Sequence, residues 1–283
     1  MNLSHLSDQE IKETLVLKQR LQLLEKQKDC QDSFLNYVEH MWPEFICGRH
    51  HKIFAQKLED VANGKINRLI INMPPRHTKS EFCSTYFPAW IMGKQPNRKI
   101  MQTTHTGELA VRFGRKVRNM MDTDEYKRIF TEVELQADSK SAGRWETNKG
   151  GEYFAAGVGG AITGRGADLL IIDDPHSEQD ALSPSALESC WEWYTSGPRQ
   201  RLQPGGAIIL VMTRWSSIDL TAKLLEAQKE EAADQWDIVE FPAIFPDTEN
   251  ALWPEFWEIE ELNKVKASLP VQKWNAQWMQ NPT

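Results

Sequence analysis

The chain has 283 residues, a formal net charge of −7 and 40% hydrophobic residues. This length suits one large α/β domain, which by size scaling would bury roughly 75% of its unfolded surface, and it excludes a short or disordered protein. The acidic balance argues against a constitutively basic DNA-binding surface, because non-specific DNA affinity comes from many Lys and Arg contacts to phosphate. Any DNA contact should be local, and the charge alone does not decide whether the protein binds DNA.

The first predicted element is an N-terminal helix. Ser7-Asp8-Gln9-Glu10 has the pattern of a capping box, and the apolar positions that follow include Ile11, Leu15, Leu21 and Leu24. We expect this helix to pack within its own chain, with packing on a neighbouring subunit as the alternative. No signal peptide or long apolar span is visible, so we expect a soluble, intracellular protein.

A buried strand leading into a basic turn is predicted at residues 68–80. The run Arg68-Leu69-Ile70-Ile71-Asn72-Met73 precedes Pro74-Pro75-Arg76-His77-Thr78-Lys79-Ser80. This is the layout of a strand that feeds a phosphate-binding loop at a helix N-terminus. Met73 and Thr78 stand where such loops usually have glycine, the residue with easiest access to positive φ. Taken alone, the segment is equally compatible with a solvated basic turn.

A second strand is predicted at residues 99–104 and a third at residues 150–157, with a glycine-rich loop from there to Gly166 as a candidate moving part. The helix after the second strand carries four basic residues: Arg112, Arg115, Lys116 and Arg118. The first three share a helical face. This basic stripe could contact DNA, carboxylates of a neighbouring subunit, or only water.

Two further strands are predicted to end in polar groups. Asp168-Leu169-Leu170-Ile171-Ile172-Asp173-Asp174-Pro175 has the pattern of a strand covered on both faces, and its carboxylates would lie at the edge where open α/β sheets bind ligands. Residues 207–215 form a similar run that ends in Thr213 and Arg214. Taken alone, Asp173-Asp174 could also be a strand end with a helix cap. Together, the three strands would deliver polar groups to one edge.

These residue types match the needs of a nucleoside triphosphate. Its phosphates require backbone N–H groups and a Lys, and Mg²⁺ requires a hydroxyl and a carboxylate. Lys79, Ser80 and Asp173 would fill those roles. Asp174 would orient and polarise the attacking water. We therefore predict an ATPase site that uses ATP and Mg²⁺.

The C-terminal third is predicted from shorter signals. Residues 216–231 indicate a helix and residues 237–241 a last strand, followed by a Trp- and Pro-rich tail from Trp253. Upstream of the first strand, His51 and Gln56 are candidates for reading an adenine. The four cysteines are widely spaced, which favours buried thiols over a metal site or a disulfide; they are Cys30, Cys47, Cys83 and Cys190.

From about His50 to the C-terminus, the chain resembles the large terminase subunit of tailed bacteriophages. The resemblance rests on the three predicted strand ends with their polar residues, and on the segment Gly159-Gly160-Ala161-Ile162-Thr163-Gly164-Arg165-Gly166-Ala167-Asp168. The resemblance implies an α/β P-loop NTPase fold of the ASCE type, with a mostly parallel sheet flanked by helices and a small C-terminal lid or linker subdomain. It divides the chain into an N-terminal helical segment at 1–45, an ATPase core at 46–235 and a lid or linker at 236–283 that leads toward an absent nuclease domain.

The resemblance also implies residue roles. Asp174 is the catalytic carboxylate, where many terminases have Glu, and Thr213 belongs to the motif that couples the nucleotide state to the rest of the subunit. Arg165 is a finger inserted into a neighbouring subunit's site, with pairing to a local carboxylate such as Asp168 as the alternative. Ser80 and Asp173 hold the metal. The nucleotide-binding loop comprises Pro75, Arg76, His77, Thr78, Lys79 and Ser80, with Arg76 contacting phosphate as a further catalytic residue.

For the whole protein, the resemblance implies an ATP-hydrolysing motor that moves double-stranded DNA into a procapsid. Its implied partners are transiently bound double-stranded DNA, the portal protein and the small terminase subunit, with no membrane. It would assemble as a homo-oligomeric ring at the procapsid portal vertex in the host cytoplasm and be a monomer in isolation.

Two alternatives stay open at this stage. The first is a helicase-like or repair P-loop ATPase that acts on nucleic acid. The second is a nucleotide-independent scaffold or a metal nuclease that uses Asp168, Asp173 and Asp174.

Overall fold

An eight-stranded sheet forms the centre of the molecule in the computed structural model, which describes residues 8–162, 164 and 166–282. The strands are β1 (Arg68–Asn72), β2 (Lys99–Thr104), β3 (Leu135–Ser141), β4 (Arg144–Thr147), β5 (Glu152–Gly157), β6 (Ala167–Asp173), β7 (Leu202–Met212) and β8 (Asp237–Glu240). Their order across the sheet is β3-β4-β5-β2-β6-β7-β1-β8. All neighbours from β5 to β8 are parallel, whereas β3 and β4 pair antiparallel at one edge.

Helices cover both faces of this sheet. They are α1 (Asp8–Asp32), α2 (Phe34–Met41), α3 (Arg49–Ala62), α4 (Phe87–Lys94), α5 (Gly107–Met121), α6 (Asp124–Ile129), α7 (Glu178–Ala181), α8 (Pro184–Ser196), α9 (Leu220–Ala227), α10 (Ile259–Ser268) and α11 (Val271–Lys273). A π-helical segment, Glu81–Tyr86, precedes α4, another, Trp274–Trp278, follows α11, and a 3₁₀ turn spans Pro198–Arg201. No helix in the described part of the chain is long and apolar enough to cross a bilayer.

Alternate residues of the central strands supply two separate cores. Leu169 and Ile171 of β6 belong to the core beneath α2, α3 and α4, whereas Leu170 and Ile172 belong to the core beneath α8 and α9. This division follows from the twofold alternation of side chains in a strand, and it explains why the parallel strands are apolar throughout. The predicted α/β fold, with a mostly parallel sheet flanked by helices, is confirmed.

Residues after β8 form a third, smaller apolar cluster, whose fully or nearly buried members are Ala243, Ala251, Leu262, Trp274 and Trp278. Phe241, directly after β8, belongs to the main core and attaches this segment to the sheet. The proposed division of the chain at residues 45 and 235 stays a prediction.

Three sequence-based element predictions need correction. The β3–β4 hairpin was not foreseen because β3 is polar and β4 has four residues. The helix predicted at 216–231 is α9, which begins later because the Asp219 carboxylate caps it by accepting a hydrogen bond from the Ala222 N–H at 3.0 Å. Strand β7 begins five residues earlier than predicted, at Leu202.

The N-terminal helix also differs from its prediction. Ser7, the expected capping residue, lies outside the described residues. Leu15, Leu21 and Leu24 are each more than half exposed, so the expected intramolecular packing is wrong for this stretch of α1. The last turns of α1 contact the body: Cys30 is buried, and its carbonyl accepts a hydrogen bond from the indole of Trp90.

Candidate phosphate-binding site

Three strand ends meet at the carboxyl edge of the sheet. Strand β7 lies between β6 and β1, so that Asp173 is in register with Val211, and Asn72 with Met212. The residues that follow these strands are therefore neighbours in space. This edge is where open parallel sheets bind their ligands.

The first group of polar side chains, which we name the carboxylate side, comprises Lys79, Ser80, Asp173 and Asp174. The Lys79 ammonium lies 2.9 Å from Asp174 Oδ2, and the Ser80 hydroxyl donates to Asp173 Oδ1 at 2.9 Å. Ser84, one turn further along the helix, donates to Asp173 Oδ2 at 2.6 Å. The structure thus brings together the residues expected to hold phosphate and metal, and their roles stay predictions.

Asp173 has an unusual electrostatic environment. It is 1% exposed, and burial, followed by the neighbouring charge of Asp174, raises its pKa to about 7. Hydrogen bonds from Ser84 and Ser80 and the charge of Lys79 act in the opposite direction. Because burial disfavours the charged form, a cation beside this carboxylate would restore its ionisation.

The loop backbone between β1 and the helix is strained. Arg76 and Thr78 have φ values of 61° and 68°, and Asp174 on the opposite side has φ of 42°. A β-branched residue at positive φ is a genuine outlier, and such residues typically cost about 1–3 kcal/mol each. Thr78 therefore adopts the left-handed conformation without glycine, whereas Met73, the other position expected to hold glycine, does not have positive φ. The strain is held in place by the surrounding residues.

The second group, which we name the histidine cluster, comprises His50, His51 and His77. The Gly48 N–H donates to His51 Nδ1 at 2.8 Å, so Nε2 carries the ring proton and donates to the Thr78 hydroxyl at 2.7 Å. The Thr78 hydroxyl in turn donates to the His77 carbonyl. This chain of hydrogen bonds fixes Thr78 in its strained conformation.

All three rings of the histidine cluster are fully buried and neutral near pH 7. Burial is the largest cause in each case, and it lowers the pKa of His50 to about 3, of His51 to about 2 and of His77 to about 4. A hydrogen bond between His77 Nδ1 and the Pro75 carbonyl, at 2.8 Å, opposes the shift at His77. The cluster therefore supports the loop without adding charge to it.

Aromatic rings of the C-terminal segment cover the histidine cluster. Trp257 stacks on His77 with ring centroids 6.0 Å apart, and Trp278 meets His77 edge-on at 6.1 Å. Trp253 contacts the ring of His51 at 4.9 Å. The indole N–H of Trp257 also points at the Arg76 carbonyl, at 3.5 Å. The C-terminal segment is thus in direct contact with the phosphate loop.

An open pocket of about 520 Å³ lies over the loop. Its walls comprise Arg76, Thr78, Lys79, Ser80, Glu81, Phe256 and Trp257. Arg76 is exposed at its mouth, whereas Lys79 is 7% exposed at its floor. An exposed guanidinium above a buried ammonium suits a polyanion that enters from solvent.

Thr213 links the two neighbouring strand ends. Its N–H donates to Asp174 Oδ1 at 2.8 Å, and its hydroxyl donates to the Met73 carbonyl at 3.1 Å. The residue predicted to couple the nucleotide state therefore contacts both the carboxylate side and the start of the loop. Its coupling role stays a prediction.

Several other candidates lie elsewhere. Asp168 is at the opposite end of β6, where it accepts a hydrogen bond from the Lys99 N–H at 2.9 Å, five residues and about 16 Å of strand from Asp173. The metal nuclease alternative that groups Asp168 with Asp173 and Asp174 is therefore wrong. Arg165 lies outside the described residues, so its role as a finger stays a prediction.

Both adenine candidates have hydrogen-bond partners within the protein, and their role stays a prediction. Both ring nitrogens of His51 are already hydrogen-bonded within the protein, and the exposed amide of Gln56 donates to Asp60 on the same helix at 3.2 Å. In the basic stripe, Lys116 pairs with Glu81 of its own chain. Arg112 and Arg115 are exposed, and the three interpretations of the stripe stay open.

Sequence reasoning missed the histidine cluster as a support for the loop. The available signal was the pair His50-His51 at the start of a helix together with His77 inside the loop, but no local pattern joins residues 26 positions apart. Gln280, described below, was missed for the same reason. Both contacts depend on the tertiary fold.

No protein-family model matches the chain, and no curated protein matches it by sequence. Among solved structures, the chain is similar to the large terminase of bacteriophage HK97, with a TM-score of 0.57 and 14% identity over 89% of this chain and 55% of that one. The chain thus spans about half the length of that relative.

The large terminase of a thermophilic bacteriophage gives a TM-score of 0.50 at 12% identity, over 79% of this chain and 53% of that one. A variant of the ATPase domain of the Thermus phage P74-26 large terminase also gives 0.50, at 13% identity, over 79% of this chain and 93% of that domain. Identities this low establish the fold alone. In its fold, the chain corresponds to the ATPase domain of phage large terminases.

Proposed function

We propose that this chain is the ATP-hydrolysing motor domain of a viral genome-packaging terminase, which couples ATP hydrolysis to movement of double-stranded DNA into a procapsid. The single observation that supports the proposal most strongly is the contact of Lys79 with Asp174, beside the Ser80–Asp173 pair, at the carboxyl edge of a sheet with the terminase fold. Asp168, at the other end of its strand, takes no part.

The residues at the edge fit a triphosphate. Lys79 is a buried ammonium at the floor of an open pocket, and its present partner is a carboxylate, so an entering phosphate would replace one anion by another. The N–H groups of the strained loop and the first helical turn would add donors. Arg76, exposed at the mouth, would contact the phosphates from solvent.

The same edge fits Mg²⁺. Ser80 Oγ and Asp173 Oδ1 lie 2.9 Å apart, and both are hard oxygen ligands. The described residues contain no group of three or more His, Cys, Asp or Glu placed to hold a metal, so a protein-only metal cage is absent from that part of the chain. One carboxylate and one hydroxyl suit an ion that takes its other ligands from phosphate and water. Bound Mg²⁺ would neutralise negative charge on the phosphates.

Asp174 would then be available to orient the attacking water. Release of Lys79 toward phosphate would free Asp174 Oδ2, while Oδ1 stays fixed by the Thr213 N–H. A carboxylate held by one oxygen and free at the other is suited to orient and polarise an attacking water.

The first experiment measures ATP hydrolysis as a function of protein concentration for the wild type and for Lys79→Ala. The proposal expects Lys79→Ala to lose nearly all activity at every concentration. Full activity in a folded Lys79→Ala protein would contradict the ATPase assignment.

Arg165 is proposed to enter the site of a neighbouring subunit in a ring at the portal vertex, in the host cytoplasm. An arginine finger is typically worth about 10³–10⁵ in rate, so dilute monomer should hydrolyse ATP slowly. Mixing Arg165→Ala with Asp174→Asn should restore activity, because each variant supplies what the other lacks. If the mixed variants assemble and ATP hydrolysis is not restored, the proposal that Arg165 acts as an arginine finger is contradicted.

The portal protein, the small terminase subunit and transiently bound double-stranded DNA are proposed as partners. A helicase-like or repair ATPase is the alternative, and it differs in its partner. Binding of the purified chain to portal protein favours the packaging motor, whereas preferential binding to forked DNA favours the alternative.

A further inference from the structure

Two successive peptide N–H groups at the end of β7 hold two different parts of the molecule. The Thr213 N–H donates to Asp174 Oδ1 at 2.8 Å, and the Arg214 N–H donates to the side-chain oxygen of Gln280 at 3.0 Å. Gln280 belongs to the C-terminal segment, 66 residues away in sequence. The catalytic carboxylate and the C-terminal segment therefore share one short stretch of backbone.

The rest of Arg214 is anchored to the body of the domain. Its guanidinium pairs with Asp219 at 2.9 Å and with Glu240 at 3.5 Å, and Asp219 is fully buried at the start of α9. Asp219 and Glu240 thus hold the side chain of Arg214. Gln280 holds its backbone N–H.

Gln280 is itself held in an unusual state. It is 3% exposed, its φ is 55°, and its amide donates a hydrogen bond to the Gln277 carbonyl. A buried glutamine with left-handed backbone persists only where its surroundings determine it. Both ends of its side-chain amide are used, one within the C-terminal segment and one on β7.

Strained residues lie at both ends of this series of contacts from Asp174 through Thr213 and Arg214 to Gln280, and in the phosphate loop beside it. Five non-glycine residues in the described part of the chain have positive φ: Arg76, Thr78, Asp174, Glu249 and Gln280. Arg76 and Thr78 belong to the phosphate loop, and Asp174 contacts Lys79. Gln280 accepts the hydrogen bond from the Arg214 N–H. Of these five, Glu249, which is exposed, lies away from both the loop and this series of contacts. Strained backbone of this kind concentrates at functional sites.

We propose that Gln280 is a positioning residue for Asp174, acting through the adjacent N–H groups of Arg214 and Thr213, and that the C-terminal segment senses the nucleotide state through this contact. The inference rests on the proposed function, because it assigns a support to the same carboxylate. Gln280 touches neither substrate nor metal in this scheme. It fixes the backbone that aims Asp174.

The physical argument concerns orientation. Asp174 must leave Lys79 when phosphate arrives, and Thr213 N–H is then the contact that keeps its other oxygen aimed. Loss of the Gln280 acceptor would free the Arg214 N–H and let this stretch of backbone relax. Misplacement of a catalytic group by about 1 Å can cost roughly a hundredfold in rate.

The test uses Gln280→Gly and a matched control, Glu249→Gly. Both substitutions relieve a φ of 55° by placing glycine there, but only the first removes a contact to β7. In steady-state ATP hydrolysis, Gln280→Gly should lower kcat by about ten- to a hundredfold with KM changed by less than about threefold. Glu249→Gly should change neither. A Gln280→Gly protein with unchanged kcat, or one with only KM raised, would overturn the inference.

A second measurement separates positioning from general damage. Amide hydrogen exchange is recorded for the full chain with and without magnesium and ATPγS. In the wild type and in Glu249→Gly, the nucleotide should change exchange around Thr213 and also in residues 275–282; in Gln280→Gly, the change around Thr213 should remain and the change in 275–282 should vanish. Equal C-terminal responses in all three proteins, or none in the wild type, would overturn the inference alone. Failure of the wild type to bind ATPγS would instead overturn the proposed function.

Discussion

On the carboxylate side of the loop, an ammonium, a hydroxyl and two carboxylates pair with one another, whereas the histidine cluster on the other side contains only neutral, buried rings. The Lys79–Asp174 pair, 2.9 Å apart, can be exchanged for a ligand contact. The chain from Gly48 through His51 to Thr78 is complete within the protein and leaves nothing for a ligand to take. The comparison indicates that one side performs the chemistry and the other holds the loop.

This contrast predicts two kinds of variant. Changes on the carboxylate side should reduce turnover or affinity while the protein stays folded. Changes in the histidine cluster and its tryptophan cover should reduce stability, and should affect binding only through the shape of the loop.

The largest expected effect is that of Asp174→Asn. An amide cannot act as a base toward water, so turnover of ATP should fall by about 10²–10⁴. The free energy of unfolding, measured with urea, should fall by about 1–3 kcal/mol and leave the protein folded, because the buried Lys79 ammonium loses the charge of its partner carboxylate. Retained turnover would remove Asp174 from the mechanism, and a large loss of stability would break the contrast between the two sides.

The histidine cluster should make stability depend on pH. The pKa of His77 is about 4 in the folded protein against an ordinary value of 6.5, so its contribution to stability is present above pH 6.5 and is lost as pH falls toward 4. The stability lost by pH 5 is about 2 kcal/mol, because pH 5 lies about 1.5 units below the ordinary pKa and each unit corresponds to 1.36 kcal/mol. Asp173 opposes the trend, since its raised pKa adds stability as pH falls through 7.

Comparing His77→Asn with the wild type cancels the opposing contribution of Asp173 to stability, because both proteins contain that carboxyl. The stability lost between pH 8 and pH 5 in urea titrations should be about 2 kcal/mol smaller in His77→Asn. Identical losses in the two proteins would show that His77 is not a buried neutral ring.

Gly48→Ala should destabilise the protein by about 1–3 kcal/mol. A Cβ at Gly48 would lie 2.6 Å from Trp253 Cδ1 and 3.1 Å from the ring of His50, so the cover over the histidine cluster would have to move. Gly107→Ala is the matched control, because its Cβ would come no closer than 3.8 Å to a neighbour. Thermal or urea unfolding measures both, and equal stabilities would mean that this packing is looser than described.

The smallest effect is expected for Trp257→Ala. Its ring stacks on His77 and its indole N–H points at the Arg76 carbonyl, so its loss should loosen the loop and weaken binding of magnesium and ATP by about two- to tenfold. Trp191→Ala, on α8, should leave the affinity unchanged. A loss of binding as severe as that of a carboxylate-side variant would show that Trp257 contacts the ligand itself.

Much of the sheet could be predicted because its parallel strands are buried on both faces and are therefore apolar throughout. The segment from Leu69 to Ile71 and the segment from Leu169 to Ile172 carry that signal in consecutive residues. Strands β3 and β4 lack it, because an antiparallel edge hairpin with one buried face leaves only Trp145 and Thr147 as buried positions in β4.

The same distinction applies to the site. Lys79 and the acidic pair could be predicted to meet because each follows a strand that ends at one edge of the sheet. The contacts of His51 with Thr78 and of Gln280 with Arg214 could not, because each joins segments far apart in sequence without a local pattern. The left-handed conformation of Arg76 and Thr78 contradicts their own preferences, and tertiary contacts impose it.

The central claim is that Lys79 and the acidic pair form one triphosphate site, and equilibrium binding of magnesium and ATP to wild type and Lys79→Ala tests it most directly. Lys52→Ala, an exposed lysine on α3, serves as the control. Loss of a buried charge contact to phosphate should weaken binding by about a hundredfold or more in Lys79→Ala, with Lys52→Ala unchanged. Equal affinities of the wild type and a folded Lys79→Ala protein would contradict the account.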